Sequence, residues 1–143
     1  MAGAPPVQRL EHWTLVTTDM ERTKRFWSEV LGAKPPRREG GPESVTFGNT
    51  TIDFFPSGPG RRPAPGTGGQ HHAYVINLED YDAWVEHLRQ HDVAIQQRNH
   101  GLRWMSIYVD DPDGYHIELT VPFDDDDTGR TEIRKRGLLH EAA

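Results

Sequence analysis

The sequence predicts an α+β chain in which one pattern, strand-helix-strand-strand-strand, occurs twice. Three observations carry that prediction. Strand-like and helical runs follow each other in the same order on both sides of a Pro- and Gly-dense segment, residues 57–70. Helical periodicity occurs only between the first two strands of each half. Each half closes on an alternating strand with a carboxylate at its centre, Ile52-Asp53-Phe54 and Ile117-Glu118-Leu119. An internal duplication is the simplest account. It gives module one at about 9–56, a linker at 57–70, module two at 71–122 and a C-terminal tail at 123–143.

Residues 1–8 are small and Pro-containing and read as a lead-in. Residues 9–17 are rich in β-branched and aromatic side chains and read as a strand. Asp19 is the expected N-cap of a helix over 20–31, whose buried stripe is Phe26, Trp27, Val30 and Leu31, with Gly32 as its C-cap. Residues 35–42 carry three Pro, two Gly and two Arg and read as a loop or irregular edge. A hairpin follows, 44–47 and 51–55 around Gly48-Asn49.

In the second half, 71–78 reads as a strand and 79–91 as a helix with Tyr81, Trp84, Val85 and Leu88 inside. A strand is expected at 93–97, a loop at 99–103 and a strand at 105–110. Asp111-Pro112-Asp113-Gly114 is turn chemistry, and the strand 115–121 leaves it. The tail holds four consecutive Asp, 124–127, then Arg130, Arg134, Lys135 and Arg136. It reads as solvated, or as an arm on a partner subunit that covers Ile133, Leu138 and Leu139.

At 143 residues the chain is expected to form a single domain. It has no apolar run long enough to span a membrane and no signal-peptide pattern at its start. The absence of Cys excludes disulfides, thiolate metal sites and a thiol nucleophile, and fits a cytoplasmic protein. A net charge of −6 argues against nucleic acid as a partner.

The chemistry lies in the repeat. The first strand of each half carries a His, His12 and His71, and the last carries a carboxylate, Asp53 and Glu118. If the two sheets close round a cleft, these four side chains converge. Two imidazoles and a carboxylate with open positions suit a divalent metal, and Asp53 would make a fourth ligand.

In order and spacing, four motifs resemble the vicinal oxygen chelate superfamily of glyoxalase I, methylmalonyl-CoA epimerase, extradiol dioxygenases and fosfomycin-resistance enzymes. They are Glu11-His12-Trp13-Thr14-Leu15 leading to Asp19, the Phe26-Trp27 to Leu31-Gly32 helix end, His71-His72-Ala73-Tyr74, and Asp111-Pro112-Asp113-Gly114-Tyr115-His116-Ile117-Glu118-Leu119. The resemblance covers about 10–31 and 71–121. It implies two βαβββ modules forming an open, barrel-like mixed sheet around a cleft. It implies His12, His71 and Glu118 as ligands of one divalent ion (Fe, Mn, Ni, Co or Zn), a small-molecule substrate and a homodimer.

The family motif His-x-Ala-aromatic selects His71 over His72, and strand parity then puts Ala73 on the cleft side with His71. Asp53 occupies the fourth-ligand position of glyoxalase I. By parity and resemblance, Thr14, Ser106 and Tyr108 are expected to contact substrate. Arg98 and Arg103 are candidate replacements for the phosphonate-binding cations that this chain lacks, and Trp104 for a cleft wall. His116 shares parity with Glu118 and is a candidate to orient a ligand. His87 and His91 fall on the polar face of a helix, His100 in a loop expected to border the cleft and His140 in the tail. The implied function is a metal-dependent enzyme that holds a substrate through vicinal oxygens, with glyoxalase-like isomerase or lyase chemistry in which Glu118, Asp53 and Tyr108 act. The alternatives are an Fe(II) extradiol-type dioxygenase, a fosfomycin-type thiol transferase and a non-catalytic binding protein of the bleomycin type.

Overall fold

The structure, a computed structural model, describes residues 3–66 and 69–139. The chain divides into two compact units, Met1–Ala64 and Pro65–Ala143.

In the first unit, β1 (His12–Thr17) leads to helix α1 (Met20–Arg25), and a hairpin follows, β2 (Glu43–Phe47) and β3 (Thr50–Pro56). Asp19 caps α1 by accepting from the Arg22 N–H at 3.0 Å. The helix does not stay α to its end. Residues Phe26–Val30 form a wider turn in which Leu31 N donates to Phe26 O, five residues back. Hydrophobic periodicity does not separate the two geometries here, because both bury Trp27 and Leu31. Gly32 then takes φ +72°, a left-handed value that suits glycine after a helix.

The sheet order is β1-β3-β2, with β1 parallel to β3 and β2 antiparallel to it. One face of the sheet packs on Trp27, which is fully buried with Trp13, Phe47 and Phe54 ring centroids 5.9, 5.5 and 6.4 Å away. Such pairs add about 0.5–1.5 kcal/mol each beyond burial. The second strand of the expected module is reduced to one bridge, Lys34 with Thr46. Pro35 and Pro36 explain this, since proline offers no N–H to extend a ladder.

The second unit contains the full pattern: β4 (His72–Val75), a 3₁₀ turn (Leu78–Asp80), α2 (Tyr81–Gln90), β5 (Gln96–Asn99), β6 (Trp104–Asp110), β7 (His116–Pro122) and α3 (Asp126–Lys135). Its order is β4-β7-β6-β5, again with first and last strands parallel and neighbours. Met105, Ile107, Val109, Ile117, Leu119 and Val121 form the buried face, and Tyr81, Val85 and Leu88 of α2 are buried with them. Asp111 fixes the turn before β7, its Oδ1 accepting from Asp113 N and Tyr115 N at 3.0 and 2.9 Å. The strand expected at 93–97 instead runs 96–99. Asp92 turns left-handed at φ +55°, and Val93 N closes the helix by donating to Leu88 O. Its β-propensity is overridden by helix capping.

The tail also differs from expectation. Asp125 caps α3 by accepting from Thr128 N at 2.7 Å, and Asp126 and Asp127 fall in the first turn, where the helix dipole favours acids. Ile133 is fully buried within the unit. Arg136 reaches Asp82 Oδ1 at 2.8 Å and Glu132 Oε2 at 2.6 Å, with its guanidinium 5.2 Å over the Tyr81 ring. Asn99 donates to Leu138 O. So 123–139 carries a folded helix rather than a solvated tail, while 140–143, with His140, lies outside the described residues. Among the described residues no helix is long and apolar enough to cross a membrane.

The close seat of α3 gives a prediction whose sign opposes helix propensity. A Cβ at Gly129 would stand 2.2 Å from Leu102 O. Gly129→Ala should therefore destabilise the protein by roughly 1–3 kcal/mol, although alanine is the better helix former. A thermal melt checks it, and a raised Tm would refute the packing described for α3.

Candidate active site

The parallel pairing of first and last strands places the same residue types in the same relation in both units. Thr14 pairs with Asp53, and Ala73 pairs with Glu118. In each case the His lies two residues before the paired position. His12 and His71 are therefore diagonal neighbours of Asp53 and Glu118 on the sheet face opposite the core.

In the second unit that face is polar. Glu118 comes from mid-β7, and its side chain is only 5 % exposed. A buried carboxylate requires partners. Its Oε1 accepts from Ser106 Oγ at 2.5 Å, and its Oε2 lies 2.7 Å from His71 Nε2. Ser106 is itself fully buried and lies 3.0 Å from Thr120 Oγ1. Tyr108 pairs with Glu118 across β6 and β7, and its hydroxyl is 2.8 Å from His100 Nε2. Burial first, and then the Glu118 carboxylate, push the Tyr108 phenol up to about 12. Arg98 pairs with Ser106, and its guanidinium stands 5.9 Å over the Tyr108 ring. Trp104 is half-buried beside His100, ring centroids 5.1 Å apart.

His71, not His72, faces Glu118. His72 pairs with Ile117 on the opposite face, where burial, followed by the charge of His71, lowers its pKa. Arg103 sits in the turn between β5 and β6, its N–H donating to His100 O, and is not brought to Glu118. His116 is bonded to Asp110 at 2.6 Å rather than to a member of the site.

In the first unit His12 Nε2 lies 4.0 Å from Asp53 Oδ2. Thr14, exposed, shares their face. The loop 37–42 bounds a pocket of about 270 Å³ here, lined by Arg37, Arg38, His12, Asp53, Ser44 and Thr51 among others.

The ring nitrogens of both histidines have defined roles. His71 Nδ1 is 2.5 Å from Gly69 O, and a carbonyl only accepts, so Nδ1 carries the hydrogen. His12 Nδ1 contacts the Glu11 carboxylate, whose pKa is lowered chiefly by that hydrogen bond, so again Nδ1 donates. Each Nε2 is thereby turned toward a carboxylate. Two lone-pair atoms 2.7 Å apart, as at His71 and Glu118, require a proton or a cation between them. Nitrogen and oxygen donors of this kind suit a divalent ion, and the remaining ring N–H of each is held by a carbonyl or a carboxylate. The residues fit such an ion in pairs. Among the described residues no three His, Cys, Asp or Glu gather into one metal-holding group.

A family model described as the Glyoxalase/Bleomycin resistance protein/Dioxygenase superfamily matches residues 9–119. The chain belongs to this superfamily. It is 28% identical over 116 residues to the glutathione transferase FosA of Serratia marcescens, covering 80% of this chain and 82% of that one. It is 30% identical over 122 residues to the glyoxalase domain-containing protein RDO1 of Mycosarcoma maydis, covering 80% and 68%. Among solved structures, the fosfomycin resistance protein FosX of Listeria monocytogenes superposes with a TM-score of 0.70 at 19% identity, over 87% of this chain and 99% of that one. The mixed α+β glyoxalase fold expected from the motifs is thus established.

His100 lies in the loop expected to border the cleft, and it reaches the Glu118 face, as the parity of Gln96 and Arg98 continued beyond β5 implies. The role of Glu11 is the feature that sequence reasoning missed; an acid next to a strand histidine can reach its Nδ1.

The Tyr108 environment is testable. Its raised pKa means that the folded state holds the phenolic proton more tightly than the unfolded chain does. The stabilisation is complete below pH 10 and is lost as pH rises through about 12. Tyr108→Phe should remove one phenolate absorbance step near pH 12 from the ultraviolet titration of the metal-free protein. Removal of a step near pH 10 would contradict the geometry described.

Proposed function

We propose that this chain is a divalent-metal-dependent enzyme that binds a small substrate through neighbouring oxygens, with His12, His71 and Glu118 as the metal ligands. The observation that carries the reading is the fixing of both Nδ1 atoms as donors, which leaves each Nε2 facing a carboxylate. Superfamily membership supports it.

A bound divalent ion supplies Lewis acidity to a substrate oxygen. The chain's own groups do the rest. Glu118 has Oε1 committed to Ser106 and offers Oε2 alone. Asp53 has no hydrogen-bond partner among the described residues and is 19 % exposed, so it is the carboxylate free to take a proton next to a carbonyl. Tyr108 keeps its proton to about pH 12 and can donate to a developing oxyanion. This favours glyoxalase-like proton transfer.

Thiol transfer is the second reading. One observation favours it beyond the likeness to a glutathione transferase. Arg98, Ser106 and Tyr108 stand on the Glu118 face, so a cation is available for an anionic substrate in the absence of the family's phosphonate-binding residues. Turnover that requires added thiol would select it, and iron with O2 consumption would select the dioxygenase.

Elemental analysis of anaerobically purified protein should give about one ion per chain. His12→Ala, His71→Ala and Glu118→Ala should each lose it while the far-ultraviolet circular dichroism stays unchanged. Stoichiometric metal retained in all three variants would end this reading. Mixing His12→Ala with Glu118→Ala protein should restore metal if the ligands come from two copies of the chain in a homodimer, and should restore none if they come from one.

A further inference from the structure

We infer that Glu11 is a positioning residue for His12, and that Arg38 holds Glu11 in place for that task. This rests on the reading of His12 as a metal ligand. The two histidines occupy equivalent places in the repeat, but their Nδ1 atoms are held differently. His71 donates to a backbone carbonyl, Gly69 O. His12 donates to a side-chain carboxylate, Glu11 Oε2. The other Glu11 oxygen accepts from Arg38 Nη2 at 3.3 Å. A three-residue chain, Arg38 to Glu11 to His12, thus runs from the loop 37–42 to the imidazole, and all three side chains line the same pocket.

The chain acts in two ways. A carboxylate accepts and does not donate, so it selects the tautomer with hydrogen on Nδ1 and leaves the Nε2 lone pair free. It also raises the basicity of the ring as a ligand, more than a neutral carbonyl does. Arg38 is 83 % exposed, so its pairing with Glu11 is weak in itself and its effect must be the smaller. Its contribution is geometric: it fixes which Glu11 oxygen is left for His12. The arrangement also ties the first ligand to a surface loop, whereas the second is tied to the main chain. Only the first can be released by substitution.

Zinc affinity, measured by competition with a chromophoric chelator, tests this. Zinc suits the probe because it binds N and O sites more tightly than manganese or iron. Glu11→Ala should weaken zinc binding about 10- to 100-fold. Glu11→Gln, which keeps an acceptor oxygen without the charge, should recover part of the loss. Arg38→Ala should weaken binding less, and by nothing further in the Glu11→Ala background. Both residues are on the surface, so the variants are expected to fold.

The second readout does not need metal. Long-range proton–nitrogen NMR on the metal-free protein above pH 8 should show His12 with hydrogen on Nδ1, and a mixture of tautomers in Glu11→Ala. Wild-type affinity in Glu11→Ala, or an unchanged His12 tautomer, overturns the inference. Equal losses from Arg38→Ala with and without Glu11 overturn the part assigned to Arg38. If the wild-type protein takes up no zinc, the metal reading fails, and the NMR comparison alone still decides whether Glu11 sets the His12 tautomer.

Discussion

Everything chemical in this chain depends on the parallel pairing of first and last strands in each unit. β1 lies on β3, and β4 lies on β7, although a helix and at least one strand intervene in sequence. The pairing sets a register in which the histidine lies two residues ahead of the position facing the carboxylate. Since side chains alternate along a strand, that offset of two keeps both groups on one face. An offset of one in either unit would send the histidine into the core face and leave the carboxylate alone. The buried apolar sets hold the register in place, because a one-residue slip would expose Trp13 and Leu15 in one unit and Ile117 and Leu119 in the other. The core thus fixes the site through the sheet, with no direct contact needed.

Register brings the groups together, and the outer contacts of each imidazole decide their chemical state. Without an acceptor at Nδ1, a histidine beside a carboxylate would settle as a simple donor to it. With Nδ1 already donating, Nε2 can meet the carboxylate only through a further proton held between them or by sharing a cation. Burial raises the stakes at Glu118, where the Ser106 hydroxyl and the His71 ring occupy the two oxygens. No buried side-chain polar atom among the described residues lacks a partner. The polar face of the second unit is therefore a set of satisfied groups arranged around one carboxylate.

Much of this was legible in the sequence because it follows from short-range rules. Alternation gave the strands that carry His12, Asp53, Ser106, Tyr108 and Glu118. The turn residues 111–114 gave the start of β7, and Gly48-Asn49 gave the hairpin, where Gly48 adopts φ +58°. Other features needed three dimensions. The second strand of the first half shrank to the Lys34–Thr46 bridge because two prolines follow it. The tail became α3 because Ile133 and Arg136 have places prepared on α2 and the sheet, a contact between residues more than fifty positions apart. The Nδ1 partners were hidden for another reason. Gly69 contributes only a carbonyl, which no residue type advertises, and Glu11 looks like any exposed acid beside a strand.

The equivalence of the two halves also shows how they diverged. Asp53 and Glu118 hold the same place in the repeat, but the second is buried and fully partnered while the first is partly exposed and has no hydrogen-bond partner among the described residues. A carboxylate with both oxygens engaged is held in one rotamer. A carboxylate without such partners keeps its rotamer freedom. The shortened first sheet contributes to this difference. With only a bridge beyond β2, the chain leaves the ladder, and its residues 37–42 wall a pocket beside His12 and Asp53. The second sheet is complete, and its face carries Ser106, which holds the buried Glu118. The shortened first sheet and the one-carbon difference between Asp and Glu accompany a repeated pair that is open on one side and held on the other.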